Sequence, residues 1–251
     1  MRTYAIGDIH GHLDKLQALH ALIESDRNAC GDGEAPVVHI GDLVDRGPDS
    51  RGVIDYLIAA QARQAPWVVI KGNHDRMFRG FLADPDFHDM GLRADLHWID
   101  PRLGGGDTLA SYGVTGAGEA LLFDLHDSAV KAVPVTHLDY IDALPSYFLR
   151  GDCLFVHAGI RPGVDLHDQR ENDLLWIRKN FLEDTRDHGA LVVHGHTPVG
   201  AVTHYGNRLN IDTGAGYGEP MSAVVIEGRE VFQLTAGGRV PVRPVPDSPL
   251  R

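Results

Sequence analysis

Five short glycine-containing motifs carry most of the residues in this sequence that could do chemistry. They are GDIHG at 7–11, GDLVDRG at 41–47, GNHD at 72–75, HAG at 157–159 and HGHTP at 194–198. They supply carboxylate, amide and imidazole ligands and no thiolate, from Asp8, His10, Asp42, Asn73, His157 and His196. Hard oxygen and borderline nitrogen ligands of this kind suit Mn²⁺, Fe or Zn²⁺ better than a soft metal.

Asp42 lies in the middle of this series, which makes it the natural bridge between two cations. Two adjacent cations repel each other, and a shared carboxylate offsets that repulsion. Such a pair can generate hydroxide from water at neutral pH, orient a phosphoryl group and stabilise the leaving oxygen. We therefore expect two divalent transition-metal ions as cofactors, with Mn²⁺ as the first choice and Fe or Zn²⁺ as alternatives.

Each motif directly follows a short apolar run. The runs at 4–6, 37–40, 67–70, 154–156 and 191–193 stop where the polar residues begin, which is typical of buried strands. Apolar residues at helical spacing separate the first three runs, so the pattern predicts parallel βαβ units. Open α/β sheets place their sites at the carboxyl ends of parallel strands. We therefore expect the five motifs to converge in space.

The remaining sequence predicts one domain over residues 1–237, followed by a surface or frayed tail at 238–251. Residues 84–130 are less regular and predict a partly helical insertion near the site. The glycines at 104–106 could cradle a phosphate or form a hinge of that insertion. After Thr197 the pattern predicts antiparallel strands at 207–212, 221–227 and 230–234, with a hairpin turn between the last two.

The ordered set GDxHG, GDxVDRG, GNH[DE], H and GHTP resembles the signature of the calcineurin-like metallophosphoesterases. Within them it is similar to the phosphoprotein phosphatases, in the bacterial and phage serine/threonine protein phosphatase branch. Each motif alone is weak, but five in order are specific and span about residues 4–216. The resemblance implies an α/β fold in which two mixed β-sheets pack as a sandwich flanked by helices.

The same resemblance assigns a role to each residue. One metal would be held by Asp8, His10 and Asp42, and the other by Asp42, Asn73, His157 and His196. His74 would be the general acid paired with Asp45, because a cationic histidine can protonate a departing alkoxide. Arg46 would clamp the substrate phosphate with its planar guanidinium, and Arg178 is the candidate for a second clamp.

The resemblance implies a binuclear-metal phosphoric ester hydrolase, foremost a serine/threonine protein phosphatase that uses metal-bound hydroxide. A symmetrical diadenosine tetraphosphatase is an alternative, although those enzymes resemble GDIQG and GDLVARG where this chain has His10 and Asp45. The sequence HAGI at 157–160 looks closer to the nucleotide hydrolases. A broad-specificity phosphomonoesterase or phosphodiesterase also stays open. A non-catalytic scaffold is disfavoured, because such relatives tend to lose ligands.

The bulk properties fit a globular protein, and the resemblance implies a phosphorylated protein or a small phosphoester as its substrate. The 251 residues are 43% hydrophobic and carry a formal net charge of −12. An acidic surface repels the nucleic-acid backbone, so no nucleic-acid partner is expected. The sequence shows no secretion signal and no apolar run long enough for a membrane span. With two isolated cysteines, Cys30 and Cys153, these features predict a cytoplasmic protein with reduced thiols.

Overall fold

The computed structural model describes residues 1–245. Its strands are β1 (Arg2–Ile6), β2 (Val37–His39), β3 (Trp67–Val69), β4 (Tyr147–Arg150), β5 (Cys153–Val156), β6 (Leu191–His194), β7 (Thr203–His204), β8 (Arg208–Asn210), β9 (Ala223–Glu227), β10 (Glu230–Thr235) and β11 (Gly238–Val242). Its α-helices are α1 (Leu13–Cys30), α2 (Ser50–Ala62), α3 (Asn73–Ala83), α4 (Gly105–Ser111), α5 (Leu122–Ala132), α6 (Val135–Asp142), α7 (Glu171–Trp176) and α8 (Lys179–Leu182). None of these helices combines the length and apolar character that a bilayer crossing requires.

The strands form two mixed sheets, which confirms the fold class predicted from the sequence. The first sheet has the order β11–β10–β9–β1–β2–β3, with β1, β2 and β3 parallel and the other three antiparallel. The second has the order β4–β5–β6–β8–β7, with β5, β6 and β8 parallel. The five strands that precede the motifs are therefore the parallel strands β1, β2, β3, β5 and β6.

Apolar side chains hold the two sheets together in layers. Ala5, Val38 and Ile40 of the first sheet share one buried cluster with Phe155 and Val193 of the second. The opposite face of the first sheet packs on α1 to α6, and the outer face of the second packs on α7 and α8. Because strands alternate their side chains between two faces, these strands, which are covered on both sides, read as continuous apolar runs.

One expectation about the C-terminal strands is wrong. The strand predicted at 207–212 contains β8, which runs parallel to β6 and is antiparallel only to β7. The two-residue β7 and the turn at Gly206 reverse the chain, and a strand this short leaves no periodic signal. Residues 238–242 of the tail, expected to lie on the surface or to be frayed, lie at the surface and pair with β10 as the edge strand β11. Residues 246–251 of the predicted tail lie outside the described residues.

Candidate active site

The five motifs meet at the carboxyl ends of β1, β2, β3, β5 and β6, around a cavity of about 180 Å³. All ten residues singled out in the sequence are found there. The cavity is lined by Asp8, His10, Asp42, Arg46, Asn73, His74, Arg178 and His196. Asp45 and His157 are fully buried and contact lining residues. Both sheets therefore contribute donors to one site, as strand topology predicts.

Asp42 lies between two groups of possible metal ligands. Its Oδ2 is 3.5 Å from His10 Nε2, and its Oδ1 is 3.4 Å from His157 Nε2. One group of donor atoms within 4.8 Å of each other comprises His10, Asp42 and His74, and the other comprises Asp42, His157 and His196. A Cβ atom at Gly72 would overlap Asp42, so this glycine allows the third motif to approach the carboxylate.

The hydrogen bonds of His157 leave the ring nitrogen that faces Asn73 available to a cation. His157 Nδ1 lies 2.9 Å from the carbonyl oxygen of Ile40 and donates to it, and burial lowers the pKa of the imidazole. Its Nε2 therefore carries no proton, yet it lies 2.8 Å from Asn73 Oδ1. Asn73 Oδ1 is also 2.8 Å from His196 Nδ1. A metal ion coordinated by Nε2 and Oδ1 would convert this repulsive contact into a favourable one.

The buried carboxylates of Asp8, Asp42 and Asp212 lie close together and would be stabilised by positive charge. Asp8 is 2% exposed, and its Oδ1 has no hydrogen-bond partner. Burial, together with the charges of Asp212 and Asp42, raises the pKa of Asp8 well above its ordinary value. Burial also raises the pKa of Asp212 to about 6. Divalent cations would balance these carboxylates, so the residues present fit a divalent metal centre.

His74 and Asp45 form a short, buried hydrogen bond beside the cavity. His74 Nδ1 is 2.6 Å from Asp45 Oδ2, and Asp45 is completely buried. His74 Nε2 is 3.2 Å from Arg46 Nη2, while Arg46 Nη1 is 2.8 Å from His10 Nε2. Arg178 reaches the same cavity, where its Nε donates to His196 Nε2 at 3.0 Å. The pair and both arginines thus surround the space available to a substrate.

Backbone strain is concentrated at this site. Among the described residues, six that are not glycine have a positive φ, and five of them belong to the motifs. The φ angles of these five are 47° for His10, 50° for Asp42, 75° for Asp45, 69° for Arg46 and 64° for His196. Side chains other than glycine rarely adopt this left-handed region, and such residues cluster at functional sites. The fold therefore holds the motif side chains in place at a conformational cost.

The profile of the calcineurin-like phosphoesterase family matches residues 1–220. The chain belongs to this family. It is therefore a metallophosphoesterase, an enzyme that hydrolyses phosphoester bonds with the help of bound metal. The family assignment and the two donor groups around Asp42 together confirm the expectation of a divalent metal centre.

Curated relatives extend over nearly the whole of this metallophosphoesterase. An asymmetrical bis(5'-nucleosyl)-tetraphosphatase from Anoxybacillus flavithermus is 27% identical over 242 residues, which cover 87% of this chain and 88% of the relative. Among solved structures, a candidate diadenosine tetraphosphatase is 20% identical with a TM-score of 0.58, and covers 96% of this chain and 94% of its own. A cold-active protein-tyrosine phosphatase of a psychrophilic Shewanella is 15% identical with a TM-score of 0.59. The match covers 96% of this chain and 80% of the phosphatase. At these identities the two structures show the fold alone.

Sequence reasoning missed several residues that shape the site. Asp75, within the third motif, accepts hydrogen bonds from the backbone N–H of Leu43 and of Gly72, both at 2.8 Å, and so joins the second motif to the third. Trp98 and Thr108, which lie in the segment 84–130, contact Asp45 directly. Asp75 could have been found from its place in GNHD, whereas nothing in the local sequence marks the other two.

Proposed function

We propose that this metallophosphoesterase is a phosphomonoesterase with two divalent cations, and that it acts on phosphorylated serine or threonine residues of proteins. The observation that carries this proposal is the 2.6 Å contact between His74 and the buried Asp45. A serine or threonine alkoxide is a poor leaving group that needs a proton. A histidine oriented by a buried carboxylate is suited to provide that proton.

The ligands in this proposal are those that the family resemblance implies. One cation would be held by Asp8, His10 and Asp42, and the other by Asp42, Asn73, His157 and His196. The two oxygens of Asp42 face His10 and His157, which suits a bridging carboxylate. When bound, the cations supply an activated water as the nucleophile and neutralise charge on the phosphoryl group.

Arg46 links phosphate binding to the hydrogen bond that His74 makes in the cavity. Its guanidinium donates to Nε2 of His10 at 2.8 Å and to Nε2 of His74 at 3.2 Å. The contact with His10 would give way to a cation bound at the same Nε2, because Nδ1 of His10 faces the carbonyl of Val44. A phosphate dianion is a stronger acceptor than neutral imidazole, so bound substrate would draw Arg46 away from His74. His74 Nε2 is then free to carry a proton and donate it to the leaving oxygen, while Asp45 holds the Nδ1–H. Arg178 clamps the phosphate from the side of His196.

Cleavage of dinucleoside tetraphosphates is the second candidate. It is favoured by the near-full-length similarity to proteins named asymmetrical bis(5'-nucleosyl)-tetraphosphatases. The ring of Tyr217, which is 63% exposed at the cavity mouth, lies 4.6 Å from the Arg46 guanidinium carbon and offers a face on which a base could stack. A nucleotide leaves readily without protonation, so this reaction depends less on His74.

The test compares four substrates with the Mn²⁺-reconstituted enzyme: a phosphoserine peptide, p-nitrophenyl phosphate, bis-p-nitrophenyl phosphate and diadenosine tetraphosphate. We expect the highest kcat/KM for a monoester. His74→Asn should lower kcat on the peptide by about 10²- to 10⁴-fold, and much less on p-nitrophenyl phosphate. A higher kcat/KM for diadenosine tetraphosphate than for either monoester would favour the second candidate instead. So would a His74→Asn variant whose kcat falls equally on the peptide and on p-nitrophenyl phosphate.

A further inference from the structure

We propose that residues 98–108 of the insertion are a positioning element for the His74–Asp45 pair, acting through Trp98 and Thr108. The inference rests on the proposed role of His74 as general acid. It assigns a function to the 84–130 insertion, whose side chains lie far from the motifs in sequence. The hydrogen bonds link Asp45 to residues 53 and 63 positions further along the chain.

The Asp45 carboxylate accepts hydrogen bonds from three side chains. His74 Nδ1 and Trp98 Nε1 both donate to Oδ2, at 2.6 and 2.9 Å, and the Thr108 hydroxyl donates to Oδ1 at 2.7 Å. Asp45, Trp98 and Thr108 are all essentially excluded from solvent. Because water cannot replace a lost donor here, each of these hydrogen bonds helps to fix the direction in which the carboxylate holds His74.

Thr108 also holds the backbone of Asp45. The backbone N–H of Asp45 donates to Thr108 Oγ1 at 2.8 Å, while that hydroxyl donates to the carboxylate of the same residue. A single threonine side chain therefore fixes both the backbone N–H and the carboxylate of Asp45. This matters because Asp45 has a φ of 75°, and such conformations persist only when the surroundings hold them.

The next residue is held by the same element. Arg46 has a φ of 69°, and its backbone N–H points to the carbonyl of Gly104 at 3.4 Å. Gly104 itself has a φ of 88°, and a Cβ atom there would overlap the backbone of Arg46. Gly104 therefore allows the start of α4 to pack closely against the Asp45–Arg46 turn, and Gly105 allows the same close approach to Trp98. These contacts give the two glycines a role distinct from both a phosphate cradle and a hinge.

The competing interpretation is that Trp98 and Thr108 merely fill the core. Trp98 does pack near Phe78 and Phe81, with ring centroids 5.6 and 4.9 Å away. A packing role and a positioning role differ in their kinetic consequences. Loose packing would lower turnover on every substrate alike, whereas a misplaced acid slows only those substrates whose leaving group needs a proton.

The experiment uses Thr108→Val, Thr108→Ser and Trp98→Phe in the full-length, Mn²⁺-loaded protein. We expect Thr108→Val and Trp98→Phe each to lower kcat on a phosphoserine peptide by about 10- to 100-fold, the range typical when a group that orients a functional residue is lost. Their kcat on p-nitrophenyl phosphate should fall less than about 3-fold, with KM and metal content unchanged. Thr108→Ser keeps the hydroxyl and should restore activity on the peptide. Trp67→Phe, remote from Asp45, is the matched control.

Two results would overturn the inference in distinguishable ways. If His74→Asn lowers activity equally on both substrates, His74 is not the acid, and the proposal falls together with that role. If His74→Asn shows the expected difference but Thr108→Val and Trp98→Phe reduce both substrates equally, only the positioning role is wrong. Thr108→Val and Trp98→Phe alter different side chains, so misfolding of one leaves the other informative.

Discussion

Two buried pairs of histidines in this protein have nearly the same ring geometry. The ring centroids of His20 and His39 are 5.1 Å apart, with their planes at 71°. Those of His157 and His196 are also 5.1 Å apart, at 69°. The first pair lies between α1 and β2, away from the cavity, and the second belongs to the candidate active site. Ring geometry and burial therefore do not distinguish a pair that packs from a pair that binds.

The His20–His39 pair forms a hydrogen-bond chain in which every donor meets an acceptor. His39 Nδ1 donates to the carbonyl of Val68 at 3.1 Å, so its Nε2 accepts from His20 Nε2 at 2.9 Å. The Tyr56 hydroxyl then donates to His20 Nδ1 at 3.1 Å. Trp67 stacks on His20 at 3.9 Å. This chain is complete without any added charge, as expected for histidines that only support the core.

The His157–His196 pair lacks this complementarity. The unprotonated Nε2 of His157 faces another acceptor, Asn73 Oδ1, and the nearest carboxylate, Asp42, is shared with His10. The direction of the hydrogen bonds therefore separates a pair that supports the core from a pair suited to bind a metal.

Replacing the bridge should affect only the second pair. We expect Asp42→Asn to lower turnover by more than about 10³-fold and to reduce bound Mn²⁺ from two ions per chain, because both cations lose a charged ligand. His39→Gln should keep two ions and turnover within about 3-fold of wild type. Metal analysis after reconstitution and steady-state kinetics measure both. Full activity with a single bound ion would contradict the two-metal mechanism.

Replacing Arg46 or Arg178 should lower kcat/KM less than replacing Asp42 lowers turnover. Arg46→Ala should lower kcat/KM by about 10²- to 10³-fold, because the guanidinium is placed to stabilise charge on the transferred phosphoryl group. Arg46→Lys should recover only part of this loss, since an ammonium keeps the charge but not the planar fork. Kinetics of both single alanine variants and the double variant on p-nitrophenyl phosphate test the second clamp. If Arg178→Ala matches wild type and adds nothing to Arg46→Ala, Arg178 is no clamp.

The His20–His39 pair should make the free energy of unfolding depend on pH. Burial lowers the pKa of His39 to about 4, below the ordinary value of 6.5. The unfolded chain then binds more protons than the folded one between these pH values, so stability falls as the pH drops from 6.5 towards 4. Between pH 7 and 5, wild type should lose about 2 kcal/mol more free energy of unfolding than His39→Gln. Urea denaturation at both pH values measures this, and equal losses would refute it.

Loss of the Tyr56 hydroxyl, the first donor of the His20–His39 hydrogen-bond chain, should have a smaller effect on stability. Tyr56→Phe removes the donor to His20 Nδ1 and leaves a mostly buried acceptor without a partner. We expect a loss of about 1 kcal/mol in the free energy of unfolding at pH 7, with kcat unchanged. A change in kcat would mean that the two pairs are coupled and that the comparison is too simple.

Sequence patterns predict those site residues that lie next to a strand end along the chain. Each proposed ligand follows a strand within a few residues, so the sequence alone places Asp8, Asp42 and His157 at strand ends. Trp98 and Thr108 could not be found in this way, because they reach Asp45 only through tertiary packing across more than 50 residues. The direction of β8 was missed for a related reason, since the very short β7 decides it.

The left-handed residues of the motifs have a consequence for the evolution of this chain. Holding His10, Asp42, Asp45, Arg46 and His196 in that region costs on the order of 1 kcal/mol each, or on the order of 5 kcal/mol together. That sum rivals the net stability of about 5–15 kcal/mol of an ordinary domain. At Asp45, however, a glycine would relieve the strain and leave the buried donors of His74, Trp98 and Thr108 without an acceptor, which costs more than the strain itself. Laboratory selection for heat tolerance alone should therefore retain Asp45, because the hydrogen bonds that orient this part of the site also stabilise the fold.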